Sequence, residues 1–125
     1  MDVAELKAKI REIKDFPTEG VLFKDITTLL KDAAAFRYVI DRLAERYQHE
    51  RVEVVVAVES RGFIFGGALA HQLGSGFVPV RKLGKLPAKT IEVEYELEYG
   101  RDALAMHEDA IRAGQRVLAV DDLLA

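Results

Sequence analysis

The sequence predicts an α/β fold built around a sheet of parallel strands, and three features of its pattern indicate this. Strand-like apolar runs alternate with helix-like segments along the 125-residue chain. The runs 52–58, 77–80 and 116–120 are apolar enough for strands that are buried on both faces. Charged residues directly follow each of these runs, at the carboxyl ends of the strands, where open α/β sheets bind their ligands.

The composition is typical of a soluble globular protein. The chain is 50% hydrophobic and 31% charged, has a net charge of −3 and contains no cysteine. This excludes disulfides and thiolate chemistry, and gives no bulk argument for binding nucleic acid or anionic membranes. No run is long enough to span a membrane, and the charged start lacks the apolar core of a signal peptide. We therefore expect one cytoplasmic domain, 1–125, that binds neither nucleic acid nor membrane.

The first part of the chain is expected to place helices around one strand. The predicted elements are a helix over 4–14, a helix over 33–48, a strand over 52–58 and a helix over 62–74. Asp32 precedes the second helix as a capping residue, and Gly74 marks the end of the third. The segment 21–30 has no pattern that assigns it to a helix or a strand.

The second part is expected to be mostly strands. They are predicted at 77–80, 90–99, 103–106 and 116–120. Pro79 counts against the first, because proline cannot donate to a sheet ladder. Apolar residues alternate strictly with glutamates over 90–99, which predicts a strand with one face in water. The segment 103–106 is expected to pair with it across Gly100-Arg101.

Three charged clusters are predicted to meet at one edge of the sheet. They are Glu59-Ser60-Arg61-Gly62, Arg81-Lys82 and Asp121-Asp122. Two clusters are cationic and one is acidic, which favours a phosphorylated sugar or a phosphorylated compound that carries a divalent metal. Two adjacent acids after four apolar residues favour a functional role over a solvated strand end, whereas Glu59-Ser60-Arg61-Gly62 taken alone is only a weak signal beside an ordinary strand–helix turn. The basic run through Lys85 and Lys89 is as compatible with a solvated loop as with a flap that closes over phosphates.

Five segments together resemble the adenine phosphoribosyltransferase family, one of the type I phosphoribosyltransferases. They are DFPTEGVLFKDIT (15–27), ESRGFIFG (59–66), RKLGKLP (81–87), YELEYG (95–100) and VLAVDDLLA (117–125). They occur in that family's order, and the last resembles the start of its signature for phosphoribosyl pyrophosphate (PRPP). The resemblance implies transfer of the 5-phosphoribosyl group from PRPP to adenine, giving AMP and pyrophosphate, with Mg²⁺ and in a homodimer.

The resemblance also implies the type I phosphoribosyltransferase fold. In that fold a parallel core sheet is flanked by helices. A small N-terminal hood, which holds the base, would comprise residues 1–30, and a flexible catalytic loop and hairpin would comprise residues 81–106.

The same resemblance assigns roles to individual residues around PRPP. Asp121 and Asp122 would hold the ribose hydroxyls, and Ala125 would belong to the same binding motif. Pyrophosphate would be bound by Ser60, Arg61, Arg81, Lys82 and Lys85, with part of the basic set coming from the neighbouring subunit. The Glu59–Ser60 peptide bond is implied to be cis. No side chain is implied as a metal ligand, because Mg²⁺ would be held through PRPP and water.

For the base, the resemblance implies a second set of residues. Phe23 would stack on adenine, and the backbone at Leu22 and Lys24 would recognise its edge. Glu98 and Tyr99 would lie on the flexible catalytic loop, where Glu98 would manage a proton on the base.

The chain departs from the family at its end. It stops before the Thr-Gly-Gly that continues the PRPP signature, so the resemblance implies that the C-terminal part of the fold is missing. On that basis the 125 residues alone are expected to be weakly stable and poorly active. Alternatives that remain open are a phosphoribosyltransferase for xanthine, hypoxanthine or orotate, a non-catalytic PRPP-binding protein, and a fragment that acts only as a dimer partner.

Overall fold

A computed structural model describes residues 1–97 and 100–124 of the chain. The chain divides into two compact units, Met1–Leu43 and Ala44–Ala125. Its elements are α1 (Val3–Ala8), β1 (Arg11–Lys14), β2 (Leu22–Asp25), α2 (Thr27–Leu30), α3 (Ala33–Tyr47), β3 (Val54–Val58), α4 (Arg61–Leu73), β4 (Gly76–Lys82), β5 (Thr90–Leu97), β6 (Gly100–His107) and β7 (Val117–Val120). Within the described ranges, no helix has both the length and the apolar character needed to cross a bilayer.

The first unit begins with a short helix and a β-hairpin, so the single helix predicted over 4–14 is wrong. The helix α1 starts at an Asp2 cap, whose Oδ1 accepts from the Glu5 N–H at 2.8 Å, and it ends at Ala8. The next residues form β1, which pairs antiparallel with β2 and places Ile13 opposite Phe23. The apolar spacing of Leu6, Ile10 and Ile13 indicates a helix, but the long-range pairing of β1 with β2 overrides this local preference.

Two aspartates organise the rest of this unit. Asp25 accepts hydrogen bonds from the Thr27 hydroxyl and N–H and from Arg11. The Thr27 hydroxyl and Arg11 are the main causes that lower the pKa of Asp25 to about 2. The predicted cap of the next helix is confirmed, because Asp32 Oδ1 accepts from the Ala35 N–H at 3.0 Å.

The second unit contains a five-stranded mixed sheet with the order β5-β6-β4-β3-β7. The central strand β3 runs parallel to both β4 and β7, which confirms the predicted parallel core. The hairpin of β5 and β6 joins this core antiparallel to the end of β4. The pairing that the sequence predicts between 90–99 and 103–106 is therefore present, and the complete sheet is mixed.

The strand β4 contains Pro79 despite the ladder bond that proline cannot donate. It pairs with β3 along Gly76–Val80, whereas β6 meets it only at Arg81 and Lys82. Next to Pro79, one edge of β4 therefore has no partner strand among the described residues. A missing N–H on that edge breaks no ladder bond, so the proline is tolerated there.

Two strands are more exposed than their patterns predict. The apolar side chains of β5 do not form a buried face: Val93 is 70% exposed. β5 is an edge strand whose only strand partner in the described chain is β6. Similarly, β7 is not a buried strand, because Val117 is 42% exposed and β7 pairs only with β3 in the described part. Apolar runs indicate strands correctly here but overstate their burial.

The helix α4 packs closely on β3 and β4, and a glycine makes that contact possible. A Cβ on Gly66 would lie 2.6 Å from the Ala57 Cβ and 3.2 Å from a ring carbon of Phe77. Phe63 meets the Phe77 ring edge-on, with centroids 5.6 Å apart. As predicted, α4 ends at Gly74, which adopts the left-handed conformation at φ 70°. The close packing fixes the start of α4 relative to the strand ends.

We expect Gly66→Ala to destabilise the protein, because its methyl group would force α4 away from β3. The expected loss is about 1–3 kcal/mol of unfolding free energy, measured by urea denaturation. Gly67→Ala is the matched control: the same helix gains an alanine where no atom lies within 4 Å. That variant is expected to gain up to about 1 kcal/mol. Equal effects of the two substitutions would contradict the packing described.

Candidate functional site

The parallel register brings three chain segments to one edge of the sheet. Val58 of β3 pairs with Val80 of β4, and Ala57 pairs with Val120 of β7, so the three strands end almost level. The segments that follow are 59–62, 81–85 and 121–122, which we call the strand-end site. This confirms that the three charged clusters predicted from the sequence meet at the carboxyl ends of the strands.

An arginine and an aspartate form an ion pair across the strand-end site. Arg61, the first residue of α4, places its Nε 2.5 Å from Asp122 Oδ2. The Asp122 N–H also donates to Asp121 Oδ1 at 2.8 Å, so the two acids contact each other. A cation and an acid that the resemblance assigns to different parts of PRPP therefore pair with each other in the described structure.

The two adjacent acids differ in their electrostatics. Desolvation by burial raises the pKa of Asp121 above the ordinary aspartate value. Burial also acts to raise the pKa of Asp122, but its hydrogen bonds with Arg61 and Asp121 outweigh this and lower it. Asp122 is therefore the more readily ionised acid of the pair, and Asp121 the one that more readily holds a proton.

Gly62 explains how Asp121 lies so close to α4. A Cβ on Gly62 would lie 2.9 Å from Asp121 Oδ1 and 3.4 Å from the Asp121 Cα. The group that approaches this glycine is therefore the carboxylate of Asp121. The glycine thus allows the end of β7 to pack against the first turn of the helix.

On the other side of β3, Glu59 connects the site to β4. Its Oε1 accepts from the Lys82 N–H at 2.8 Å and lies 3.3 Å from Arg81 Nε. The Lys82 N–H, followed by the charges of Arg81 and Lys85, lowers the pKa of Glu59 against the effect of burial. The Glu59–Ser60 peptide bond is cis, as the resemblance implied.

The basic segment that follows β4 is held at both ends. Lys82 Nζ lies 3.3 Å from Asp102 Oδ2 of β6. At the far end, the Ala88 N–H donates to His107 Nε2 at 3.3 Å, and the Glu108 N–H donates to Lys89 O at 2.8 Å. Lys85 lies between these anchors, and its charge reaches Glu59. The predicted cations Arg81, Lys82 and Lys85 thus belong to a segment with defined attachments.

The first unit holds the residues predicted to bind the base. Phe23 lines a cavity of about 380 Å³ together with Ile13, Phe16, Asp25 and Thr27. The Phe16 and Phe23 rings meet edge-on with centroids 5.1 Å apart. Leu22 and Lys24 flank Phe23 on β2, where they pair with Lys14 and Glu12 of β1. Apolar walls next to a ring are suitable for a flat aromatic ligand.

The structure adds contacts for residues that the sequence gave no role, and it does not describe three of the residues that were given one. Sequence reasoning gave no role to Glu59, Asp102 or Phe16, because their contacts with Lys82 and Phe23 form only in the folded chain. The one available signal was that Glu59 is a charge placed directly after an apolar strand. The predicted roles of Glu98, Tyr99 and Ala125 concern residues outside the described part of the chain.

The acids of the site do not form a metal cage of their own. Among residues 1–97 and 100–124, no group of three or more histidine, aspartate or glutamate side chains could hold a metal ion. Mg²⁺ commonly keeps several waters and binds through substrate phosphates with one or two carboxylates. The residues present therefore fit a magnesium ion that is brought by a phosphorylated ligand.

Comparison with known proteins gives a consistent result. Residues 25–125 match the model of the phosphoribosyl transferase domain. The chain is 60% identical to the adenine phosphoribosyltransferase of Brachyspira hyodysenteriae over 121 residues, which are 97% of this chain and 71% of that protein. It is 61% identical to the enzyme of the same name from Acaryochloris marina, with the same coverage of 97% and 71%.

Solved structures agree with the sequence relatives. The structure of adenine phosphoribosyltransferase from Thermoanaerobacter pseudethanolicus matches with a TM-score of 0.94 at 57% identity, over 99% of this chain and 72% of that one. The enzyme from Saccharomyces cerevisiae matches with a TM-score of 0.90 at 42% identity, over 98% and 72%. That yeast structure contains D-2,5-dideoxy-2,5-imino-altritol 1,6-bisphosphate and adenine.

We expect Arg61→Gln to raise the pKa of the Asp122 carboxyl, because the guanidinium favours its ionised form. Since Asp122 titrates lower in the folded chain than in the unfolded one, its stabilising effect is present above about pH 4 and is lost as the pH falls further. The stability difference between the parent and Arg61→Gln should therefore shrink below about pH 4. Carboxyl ¹³C NMR measures the pKa directly.

Arg42→Gln is the control for this titration. Arg42 lies in the first unit with its guanidinium 5.8 Å from the centre of the Tyr38 ring, so its loss should leave Asp122 unchanged. An Asp122 carboxyl that titrates at the same pH with and without Arg61 would show that the ion pair is absent in solution.

Proposed function

The chain belongs to the phosphoribosyltransferase family, and we propose that it carries the function of an adenine phosphoribosyltransferase. The reaction is transfer of the 5-phosphoribosyl group from PRPP to adenine, which gives AMP and pyrophosphate in purine salvage. The observation that carries the proposal is the strand-end site, where basic residues from two segments meet two adjacent acids. Relatives with this name are about 60% identical to almost the whole chain.

We propose that the basic residues bind the pyrophosphate group of PRPP. Ser60 and Arg61 provide the start of α4, where backbone N–H groups and the helix dipole favour an anion. Arg81, Lys82 and Lys85 provide positive charge from the neighbouring strand end. Displacement at the anomeric carbon needs a neutralised leaving group and no protein nucleophile, and these side chains supply the neutralisation.

We propose that Asp121 and Asp122 hold the ribose hydroxyls. In the described structure Asp122 is paired with Arg61, so PRPP would replace one internal ion pair with two contacts of its own. Its pyrophosphate would take the guanidinium, and a ribose hydroxyl would donate to the acid. The low pKa of Asp122 keeps a negative charge close to the sugar while positive charge develops there.

We propose that adenine binds in the cavity beside Phe23. The base would stack on the Phe23 ring, and the backbone of Leu22 and Lys24 would recognise its edge. An amino group and a ring nitrogen offer the opposite donor and acceptor pattern from a 6-oxo purine, so fixed backbone groups discriminate between them. We also propose that Glu98, next to Tyr99 in the sequence, manages a proton on the base.

The remaining parts of the proposal concern the ion and the assembly. Mg²⁺, held by PRPP and water, would supply charge neutralisation to the pyrophosphate. We further propose a homodimer in which part of the 81–85 segment contributes to the pyrophosphate site of the neighbouring subunit. Sedimentation equilibrium measures whether the protein is a dimer. A cytoplasmic location and a role for Ala125 in the PRPP motif remain predictions from the sequence.

We expect one substitution to weaken only the binding of PRPP and another to weaken only the binding of adenine. Arg61→Ala should weaken PRPP binding by roughly 10–100-fold, the usual effect of losing a charge-assisted contact, and leave adenine binding nearly unchanged. Phe23→Ala should weaken adenine binding by roughly 5–100-fold, because base stacking is lost, and leave PRPP binding nearly unchanged. Isothermal titration with each ligand in the presence of Mg²⁺ measures both constants. If both variants lose both ligands equally, the assignment of separate sites is wrong.

A further inference from the structure

We propose that Glu59 is a positioning residue that holds the pyrophosphate-binding segment of β4 in place. It would act through Arg81 and the backbone of Lys82, without contact to the ligand. The inference rests on the proposed function, and it assigns a role to a carboxylate that no part of that function uses.

The geometry links two strand ends through one carboxylate oxygen. Glu59 is the first residue after β3, and its N–H donates to Val80 O at 3.0 Å. Its Oε1 accepts from the Lys82 N–H at 2.8 Å and lies 3.3 Å from Arg81 Nε. The side chain thus extends the pairing of β3 with β4 by two residues, into the segment that carries the cations.

The contact with Arg81 places a carboxylate beside the buried Nε of its guanidinium. Arg81 Nε is buried and makes no hydrogen bond of good geometry within the described chain, although Glu59 Oε1 is at ion-pair distance. A buried guanidinium nitrogen without a compensating charge is unfavourable. Glu59 supplies that charge on the Nε side, which leaves the two terminal nitrogens of Arg81 to bind a phosphate in a bidentate way.

The negative charge of Glu59 has two opposing effects on the binding of an anion at this site. Glu59 is ionised at neutral pH, since the Lys82 N–H and the charges of Arg81 and Lys85 lower its pKa. By simple Coulomb repulsion its charge weakens the binding of pyrophosphate. If its main effect is to fix Arg81 and the start of the segment that carries Lys85, its charge strengthens that binding, because less side-chain freedom is lost on association. The two accounts predict opposite effects of removing the charge.

Glu59→Gln removes the charge and keeps the shape and a carbonyl acceptor for Lys82. We expect this variant to bind Mg²⁺-PRPP and Mg²⁺-pyrophosphate about tenfold more weakly in isothermal titration, with adenine binding unchanged. Tighter or equal pyrophosphate binding would overturn the proposal.

Glu53→Gln is the matched control at the opposite end of the same strand. Glu53 Oε1 accepts from the backbone N–H of Arg116 at 3.1 Å, so this carboxylate also links β3 to a neighbouring strand. The control should therefore bind pyrophosphate like the parent. If it weakens binding as much as Glu59→Gln, a general loss of sheet stability explains the result and the proposal fails.

A double-mutant cycle tests whether Glu59 acts through Arg81. In an Arg81→Ala background, Glu59→Gln should cause less than a twofold further loss, because the group it positions is gone. Full additivity of the two losses would contradict a positioning role.

If Glu59→Gln does not fold, Glu59→Asp is the variant that tests the proposal. It keeps the charge but withdraws the carboxylate by one methylene. Positioning predicts weaker pyrophosphate binding for it, and parent-like binding overturns the proposal.

The outcomes separate this inference from the proposed function. If the unaltered protein binds neither PRPP nor pyrophosphate, the proposed function fails, and the inference fails with it. If the unaltered protein binds both and Glu59→Gln binds them equally well, the function stands and the inference alone is wrong.

Discussion

The parallel pairing of β3 with both β4 and β7 is the constraint on which the site depends. This pairing sets the end of β3 level with the ends of its two neighbours, so residues as far apart in the chain as Arg61 and Asp122, which are 61 positions apart, meet at one edge. The contacts of Gly66 and Gly62 then fix α4 on this arrangement, one against β3 and one against Asp121. A change in register would move a whole cluster of charges away from the others.

Charge balance is the second principle of this site. Each cationic segment is paired with an internal carboxylate: Arg61 with Asp122 and Arg81 with Glu59. These pairs have different consequences, because Asp122 is itself expected to contact the ligand and Glu59 is not. PRPP would therefore displace the first pair while the second remains and orients its arginine. Under the proposed function, PRPP would exchange the Arg61–Asp122 pair and leave the Arg81–Glu59 pair in place.

The order of apolar and charged residues along the chain was enough to predict the elements that form through local interactions. The parallel strands, α4 with its Gly74 end, and the meeting of three charged clusters were all predictable from apolar runs and the residues that follow them. The helix over 4–14 failed because β1 forms only through pairing with β2. The predicted burial of β7 failed because an apolar run does not show how many partner strands a strand has. The strand β5 is at an edge, and its apolar face is exposed as well as its acidic one. The link from Glu59 to β4 joins residues 23 apart, so no local signal predicts it.

A crystal structure of the protein with PRPP and Mg²⁺ bound would test the central claim most directly. We expect pyrophosphate to contact Ser60, Arg61 and Arg81, and the ribose hydroxyls to contact Asp121 and Asp122. Arg61 should no longer pair with Asp122. Glu59 should still contact Arg81 and the Lys82 N–H. Ligand density away from the ends of β3, β4 and β7, or a ligand bound there with the Arg61–Asp122 pair intact, would contradict it.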